Sequence, residues 1–399
     1  MRNLVYIQSG GPTSIINSSF YGAIKEAMLH KDKIDGIYGS LNGIDGLIFD
    51  NLIDIEKEDA DQIELLKQTP GSILGTARRK LPKDIHDELY LKIIETLKKH
   101  DIKYVLVNGG NDSMDTCYKL SLLAEELKLD VKIIGIPKTI DNDLMGTDHS
   151  LGFPSAAKYL INSIHSMAKD ITCFKKGKIT IFEIMGRNAG WLTAAADLLE
   201  DETRPDLFYL PETGFDLQDF LTSVKKIYEQ KGHAMVVMSE GVDFPRDGIG
   251  ARVDAFGHVQ LGGVASDLCR IVEKELDIST RAIEFSLNQR CSPYLISRVD
   301  QEEAIAVGQK AVQSLLQGQS GSMVIIKRVS DCPYRYILEL ASLAGVANAE
   351  KVMDSSYTYD ETRMSDKFKD YLKPLIQGEI NVKYVDGVIA LSRFKYHKI

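Results

Sequence analysis

The chain has 399 residues, 44% hydrophobic and 26% charged, which is enough for two packed cores and too apolar for a disordered chain. A formal net charge of −9 argues against nucleic acid or an anionic membrane as partner, so any anionic ligand must be held by a local basic cluster. The five cysteines (Cys117, Cys173, Cys269, Cys291, Cys332) are odd in number and scattered, without C-x-x-C, and read as reduced, mostly buried thiols of a cytoplasmic protein. The run Leu4–Ile7 after Arg2 is too short for a signal-peptide core, and no stretch of 18 apolar residues is present to span a membrane. The eight histidines show no H-E-x-x-H or other transition-metal spacing.

In chain order, Leu4–Ile7, Tyr104–Val107, Lys132–Ile136, Ile179–Ile184, Ala234–Met238 and Met323–Ile326 read as buried parallel strands. Amphipathic helices lie between them. Ile85, Leu89, Ile93 and Leu97 recur every four residues over Asp84–His100, with acidic residues opening that stretch and Lys98-Lys99-His100 closing it. Pro154 suits a first helical turn, followed by Ala157, Leu160, Ile161, Ile164 and Met167 on one face. Strand–loop–helix repetition predicts an α/β fold with mainly parallel sheets, whose ligands bind at the carboxyl ends of the strands.

Four strands run into loops that carry chemistry: Ser9-Gly10-Gly11-Pro12-Thr13, Gly109-Gly110-Asn111-Asp112-Ser113, Pro137-Lys138-Thr139-Ile140-Asp141-Asn142-Asp143, and Met185-Gly186-Arg187-Asn188-Ala189-Gly190. A Gly-Gly pair between strand and helix lets backbone N–H groups approach a phosphate, or simply makes a tight turn. Neither G-x-x-x-x-G-K-[ST] nor G-x-G-x-x-G is present, so an ordinary P-loop or dinucleotide fingerprint is absent. Asp141 and Asp143 can divide general-base and metal-holding work, or belong to a solvated turn. Arg187 can clamp a sugar phosphate or cap the sheet. Arg78-Arg79-Lys80, within Gly71–Lys80, is the local cation cluster a polyphosphate needs, or a solvated charge run.

Taken together, from about Met1 to about Gly318, these loops resemble the phosphofructokinase family in order and spacing. The resemblance implies two similar Rossmann-like, three-layer α/β domains with the active site in the cleft between them. The approximate spans are 1–140 for donor phosphate, 141–318 for sugar phosphate, and 319–399 as a segment completing the domains and a candidate subunit contact. It implies fructose 6-phosphate as acceptor and Mg2+ as cofactor, in a homodimer or homotetramer. Position by position, Asp141 resembles the base for the sugar 1-hydroxyl, supported by Thr139 and Asp143. Gly10 resembles a donor-phosphate contact and Arg78 the cation bridging donor and acceptor. Met185, Gly186, Arg187 and Glu240 resemble sugar-phosphate contacts. Arg281 and Arg290, in segments similar to the 6-phosphate site, resemble its clamp, with Arg298 a second candidate for the latter role.

Two positions speak to the donor. ATP-using relatives typically carry glycine where Asp112 and Lys138 stand here; a carboxylate at Asp112 would repel a nucleotide α-phosphate, and Lys138 would set an ammonium against the retained diphosphate. Both match the pyrophosphate-dependent branch, as do Pro12-Thr13 and Asn188-Ala189-Gly190-Trp191. Rivals are an ATP-dependent enzyme, an NAD- or lipid-kinase relative, which would not explain Asp141/Asp143 and Met-Gly-Arg, and a non-catalytic sugar-phosphate-binding paralogue, which would be expected to lack Asp141 or Arg78. Departures from the pattern are Asn111 in place of an acidic residue that helps hold magnesium, and Leu287 in place of a histidine near the sugar phosphate. Lys178 stands where an arginine reaches a neighbouring subunit's sugar phosphate. Tyr21 replaces one arginine of the bacterial effector site while Lys25 keeps the other charge, so control by ADP or phosphoenolpyruvate is not expected.

Overall fold

The computed structural model describes residues 2–77, 79–244, 263–360 and 363–399. Eleven strands matter here: β1 (Asn3–Gln8), β2 (Ile37–Ser40), β3 (Leu52–Asp54), β4 (Ile102–Gly109), β5 (Lys132–Pro137), β6 (Ile179–Ile184), β7 (Leu207–Tyr209), β8 (Ala234–Ser239), β9 (Thr280–Glu284), β10 (Ser322–Asp331) and β11 (Tyr334–Ser342). Contacts divide the chain into two compact units, Met1–Gly152 with Arg290–Glu350 and Gly378–Ile399, and Phe153–Gln289 with Lys351–Gln377. The spans are discontinuous, because the helix Arg298–Leu316 and β10–β11 return to the first sheet.

The first unit is built on a seven-stranded sheet in the order β11-β10-β5-β4-β1-β2-β3. Strands β10, β5, β4, β1 and β2 are mutually parallel, while β3 and β11 are antiparallel edges. Alternation along the strands sends Leu4, Tyr6 and Leu106 to one face and Val5, Ile7, Val105 and Val107 to the other. The first face is covered by the helices Ile16–Leu29 and Arg298–Leu316, the second by Glu88–Lys99 and Asn111–Glu126, giving three layers. The helix expected over 84–100 starts at Glu88. Asp87 caps it by accepting the Leu89 N–H, while Asp84 accepts the His86 N–H in a separate turn. The expected strand Met323–Ile326 pairs parallel to β5 only through Ser322 and Met323, then continues as an antiparallel hairpin with β11.

The second unit holds a four-stranded, all-parallel sheet in the order β7-β8-β6-β9. Ile179, Ile181, Ala234, Val236 and Met238 pack with the helices Leu217–Lys231 and Val264–Leu276. On the opposite face Phe182 stacks on Phe285, which meets Tyr159 of the helix Phe153–Thr172 edge-on. Among the five thiols only Cys117 and Cys269 are buried; Cys173, just past a helix end, and Cys332, in the β10–β11 turn, are exposed, contrary to the expectation of mostly buried cysteines. No described helix is long and apolar enough to cross a membrane.

Candidate active site

In the first unit β1, β4 and β5 lie side by side, with Gln8 opposite Asn108 and Gly109 opposite Pro137, so their carboxyl-end loops emerge together. Gly110 precedes the helix Asn111–Glu126, and no side chain caps that helix, leaving its positive end to the loop. Gly10 adopts φ +76°, a turn a β-carbon would strain. The Gly10 carbonyl accepts from Thr76 Oγ1 at 3.0 Å, which brings the segment containing the basic run beside the first loop. Arg78 itself lies outside the described residues, and Arg79 is ion-paired with Asp45.

Lys138 joins the three loops. Its backbone N–H donates to Gly109 O (3.0 Å), and its Nζ donates to Ser9 O (3.0 Å) and Gly11 O (2.5 Å). The side chain is 2% exposed. Burial, then the repulsion of Arg290, pushes its pKa down to about 8, with Asp141 and Asp143 pulling the other way. Arg290 approaches the same loop, its Nη1 3.2 Å from where a β-carbon on Gly11 would stand. Arg298 points elsewhere, toward Gly378 and Glu302.

The run 139–143 is not a solvated turn. Asn142 is fully buried at φ 56°, accepting the Ser150 N–H at 2.9 Å, and Thr139 Oγ1 accepts the Asp141 N–H at 3.1 Å. Asp143 Oδ2 accepts from Asn111 Nδ2 at 3.1 Å. Burial, then Asp141, raises the Asp143 carboxyl to about 7. Asn111 Oδ1 and Asp143 Oδ1 are both buried without a hydrogen-bond partner. Orphan oxygens of hard-donor type on two hydrogen-bonded side chains fit a magnesium ion whose remaining ligands are substrate oxygens and water. Asp112 is exposed in the first helical turn, beside this pair.

In the second unit β6 and β8 place Ile184 opposite Ser239, so the loops holding Met185–Arg187 and Glu240 are neighbours. The Gly186 N–H faces Glu240 Oε1 at 3.5 Å, its carbonyl accepts from Ser239 Oγ, and the Met185 N–H donates to Gln289 Oε1 at 3.2 Å. Gly186 has φ +149°, and a β-carbon there would stand 2.6 Å from Ala189 O. Glu212 accepts the Gly190 N–H at 2.9 Å and the Met353 N–H at 3.2 Å, pinning the far side of the loop.

Lys178 and Arg281 are not part of this cluster. Arg281 lies on the edge strand β9 opposite Thr180, and Lys178 precedes β6, so both sit at the amino end of the sheet. Met185 is at the other end, five extended residues or roughly 16 Å from the level of Arg281 and farther still from Lys178. With Lys176 they line a cavity of about 450 Å³. Arg281 is half exposed and pairs loosely with Asp170 at 3.6 Å.

Residues 3–315 match the family model described as phosphofructokinase. The chain belongs to the phosphofructokinase family. A pyrophosphate--fructose 6-phosphate 1-phosphotransferase of Xanthomonas campestris pv. campestris is 42% identical over 393 residues, covering 96% of this chain and 93% of that protein. One of the same name from Halomonas elongata is 38% identical over 409 residues, covering 100% and 97%. The crystal structure of a pyrophosphate-dependent phosphofructokinase from Marinobacter aquaeolei superposes with a TM-score of 0.91 at 36% identity, covering 100% of this chain and 97% of that one.

Within this phosphofructokinase the structure gathers Gly10, Asn111, Asp112, Lys138, Thr139, Asp141, Asp143 and Arg290 in the first unit, and Met185, Gly186, Arg187 and Glu240 in the second. Thr76, Ser239 and Glu212 hold the loops yet carry no motif, since each acts through contacts distant in sequence.

Proposed function

We propose that this phosphofructokinase transfers a phosphoryl group from pyrophosphate to the 1-hydroxyl of fructose 6-phosphate, reversibly, giving fructose 1,6-bisphosphate and phosphate. The observation that carries the donor is Lys138, an ammonium caged under the Gly10–Gly11 loop where ATP-using relatives typically have glycine. The names of the bacterial relatives point the same way.

The first unit takes the donor. N–H groups of the Gly10 and Gly110 loops and Lys138 surround the diphosphate, with Arg78 assigned as the bridging cation by family resemblance. Arg290, in the segment similar to the 6-phosphate site, holds the sugar phosphate. Asp141 accepts the proton of the attacking hydroxyl, and Asp143 and Thr139 hold its loop. Asp112 repels the extra phosphate of a nucleotide. Phosphoryl transfer asks mainly for in-line positioning and for cations around spreading charge, and these residues supply both. Magnesium, resting on Asn111 and Asp143 with Asp141 close by, would neutralise charge on the diphosphate oxygens.

The second unit takes the acceptor, through Met185, Gly186, Arg187 and Glu240. Because Lys178 and Arg281 sit at the far end of β6, they serve the sugar phosphate of a second copy, which makes a homodimer the smallest active form and a homotetramer compatible with it. The enzyme works in the cytoplasm.

The test supplies purified chain, fructose 6-phosphate and magnesium with either pyrophosphate or ATP, and follows fructose 1,6-bisphosphate. Turnover with pyrophosphate, reversed by orthophosphate and abolished by Asp141→Asn, supports the proposal. Turnover with ATP alone overturns the donor assignment, and none with either donor points to a sugar-phosphate-binding paralogue.

A further inference from the structure

The loop from Thr139 to Gly152 leaves β5 with Asp141 and Asp143 and returns along its own start. The Thr139 N–H donates to Leu151 O (3.2 Å), and the Ser150 N–H to Asn142 Oδ1 (2.9 Å). The returning limb is therefore the backing on which the acidic limb rests. His149 lies in that limb with 0% exposure, its Nδ1 2.9 Å from Asp148 Oδ2 and its Nε2 2.7 Å from Glu303 Oε2. An ionised carboxylate only accepts, and a neutral imidazole has one N–H, so both contacts are satisfied together only by an imidazolium.

Each carboxylate is engaged from a further element. Arg328 of β10 donates to Asp148 through Nε (3.1 Å) and Nη2 (3.0 Å), and Tyr334 of β11 donates its hydroxyl to Glu303 Oε1 (2.5 Å). Around this core, Asp331 meets Arg328 at 3.0 Å, Asp300 accepts the Gly152 N–H at 3.0 Å, and Tyr336 lies in the field of Glu303 and Glu302. With His149 protonated, Arg328, Asp148, His149 and Glu303 balance as two positive and two negative charges. Without that proton one carboxylate stands uncompensated in the interior, a costly state.

We propose that His149, held as an imidazolium, is a positioning residue that clamps the returning limb to the helix Arg298–Leu316 and thereby fixes the seat of Asp141 and Asp143. The proposal rests on the reading of Asp141 as general base. Burial alone would lower the ring's pKa; Glu303 and Asp148 outweigh it and raise it to about 9 from 6.5. The folded-state pKa lies above the unfolded one, so the clamp is at full strength below about 6.5 and is lost as pH rises through about 9.

Glu303→Gln removes one carboxylate while leaving an oxygen for Tyr334, and so lowers the pKa of His149. The readout is the ratio of variant to wild-type kcat from about pH 6 to about 8.5, which cancels every titration the two proteins share. The ratio should be highest at the acid end and fall by roughly tenfold per pH unit above the lowered ring pKa, while KM for fructose 6-phosphate holds. A ratio that is flat across pH, with or without a lower melting temperature, overturns the proposal by showing a merely structural tie. Should the variant fail to fold, nitrogen-15 spectra of the histidine rings in the wild-type chain at about pH 7 decide it. Two protonated nitrogens on His149 support the clamp, and a neutral ring refutes it. Persisting turnover in Asp141→Asn would instead refute the base assignment, whatever the ratio does.

Discussion

Replacing Lys138 with methionine separates what its ammonium does for turnover from what it does for the fold. The amine's pKa is pushed from 10.5 down to about 8, first by burial and then by Arg290. A depression of that size weighs roughly 3 kcal/mol against the charged form. The native state binds fewer protons than the unfolded chain between about 8 and 10.5, so stability rises with pH across that window, and below it the full cost is in force. Lys138→Met removes this cost but strands the Ser9 and Gly11 carbonyls, at ~1–3 kcal/mol each. The two effects nearly cancel, and the melting temperature at pH 7 should move by only a few degrees. Turnover has no such offset: loss of one cation at the developing charge should lower kcat by about 10²–10³. The assay is kcat with pyrophosphate and fructose 6-phosphate, with thermal melts at pH 7 and pH 9.5. Wild type should gain stability relative to the variant at the higher pH, and its turnover should decline relative to the variant's as pH rises through about 8, the titration of His149 being common to both. A variant retaining more than about a tenth of wild-type kcat would refute the reasoning, because an electrostatic contact of this kind is worth more than that.

Asp112→Gly combined with Lys138→Gly should admit ATP as donor and cut pyrophosphate turnover by about 10² or more; a double variant inert with ATP would remove both positions as the donor filter. Gly186→Ala forces a β-carbon to within 2.6 Å of Ala189 O at φ +149°. Strain of ~1–3 kcal/mol should lower kcat/KM for fructose 6-phosphate about tenfold or more, with pyrophosphate binding unchanged. Arg187→Ala and Arg281→Ala should each be nearly inactive alone, yet chains unfolded and refolded together should recover about a quarter of wild-type activity, since half the dimers are mixed and each mixed dimer has one intact site. Absence of recovery would place both arginines on one chain's own substrate.

The central strands were legible because a strand buried on both faces reads as an unbroken apolar run, and the loops because Gly-Gly, Thr-Ile-Asp-Asn-Asp and Met-Gly-Arg follow such runs directly. The nine-residue edge strand Tyr334–Ser342, only partly buried, gave no such run and was not read. Nor were the short strands. Leu52–Asp54 and Leu207–Tyr209 have three residues each, too few to show a period. Thr280–Glu284 is a half-exposed edge strand, noticed in the sequence only through the resemblance of Thr280-Arg281-Ala282 to a phosphate-binding segment. Its Arg281 illustrates a deeper limit. Residue type signals an anion contact, but which end of the sheet it decorates depends on pairing register, here Arg281 opposite Thr180, which one strand's sequence does not contain. Lys138 shows the same limit from the other side. The substitution is visible in the sequence, whereas its carbonyl cage comes from Ser9 and Gly11, more than a hundred residues earlier.

That cage explains how a chain of net charge −9 can present positive charge to a polyanion. Most of the chain's carboxylates are solvent-exposed and screened within about 8–10 Å, so the global field is weak at a distant site. What matters is local. An exposed lysine at this spot would be drawn to the nearest carboxylate and lost to the ligand. Lys138 is instead buried, held by two neutral carbonyls that orient its ammonium without cancelling its charge, and Arg290 reinforces it from the same side. The glycine loops add N–H groups and a helix end, which carry partial positive charge but no formal charge for a carboxylate to neutralise. Asp141 and Asp143 stand within the field of this cation and pull its pKa upward, against the burial and the repulsion of Arg290 that lower it. On this reading the −9 charge and the anion site do not conflict, because one is a surface property and the other is built from buried, mostly uncharged donors.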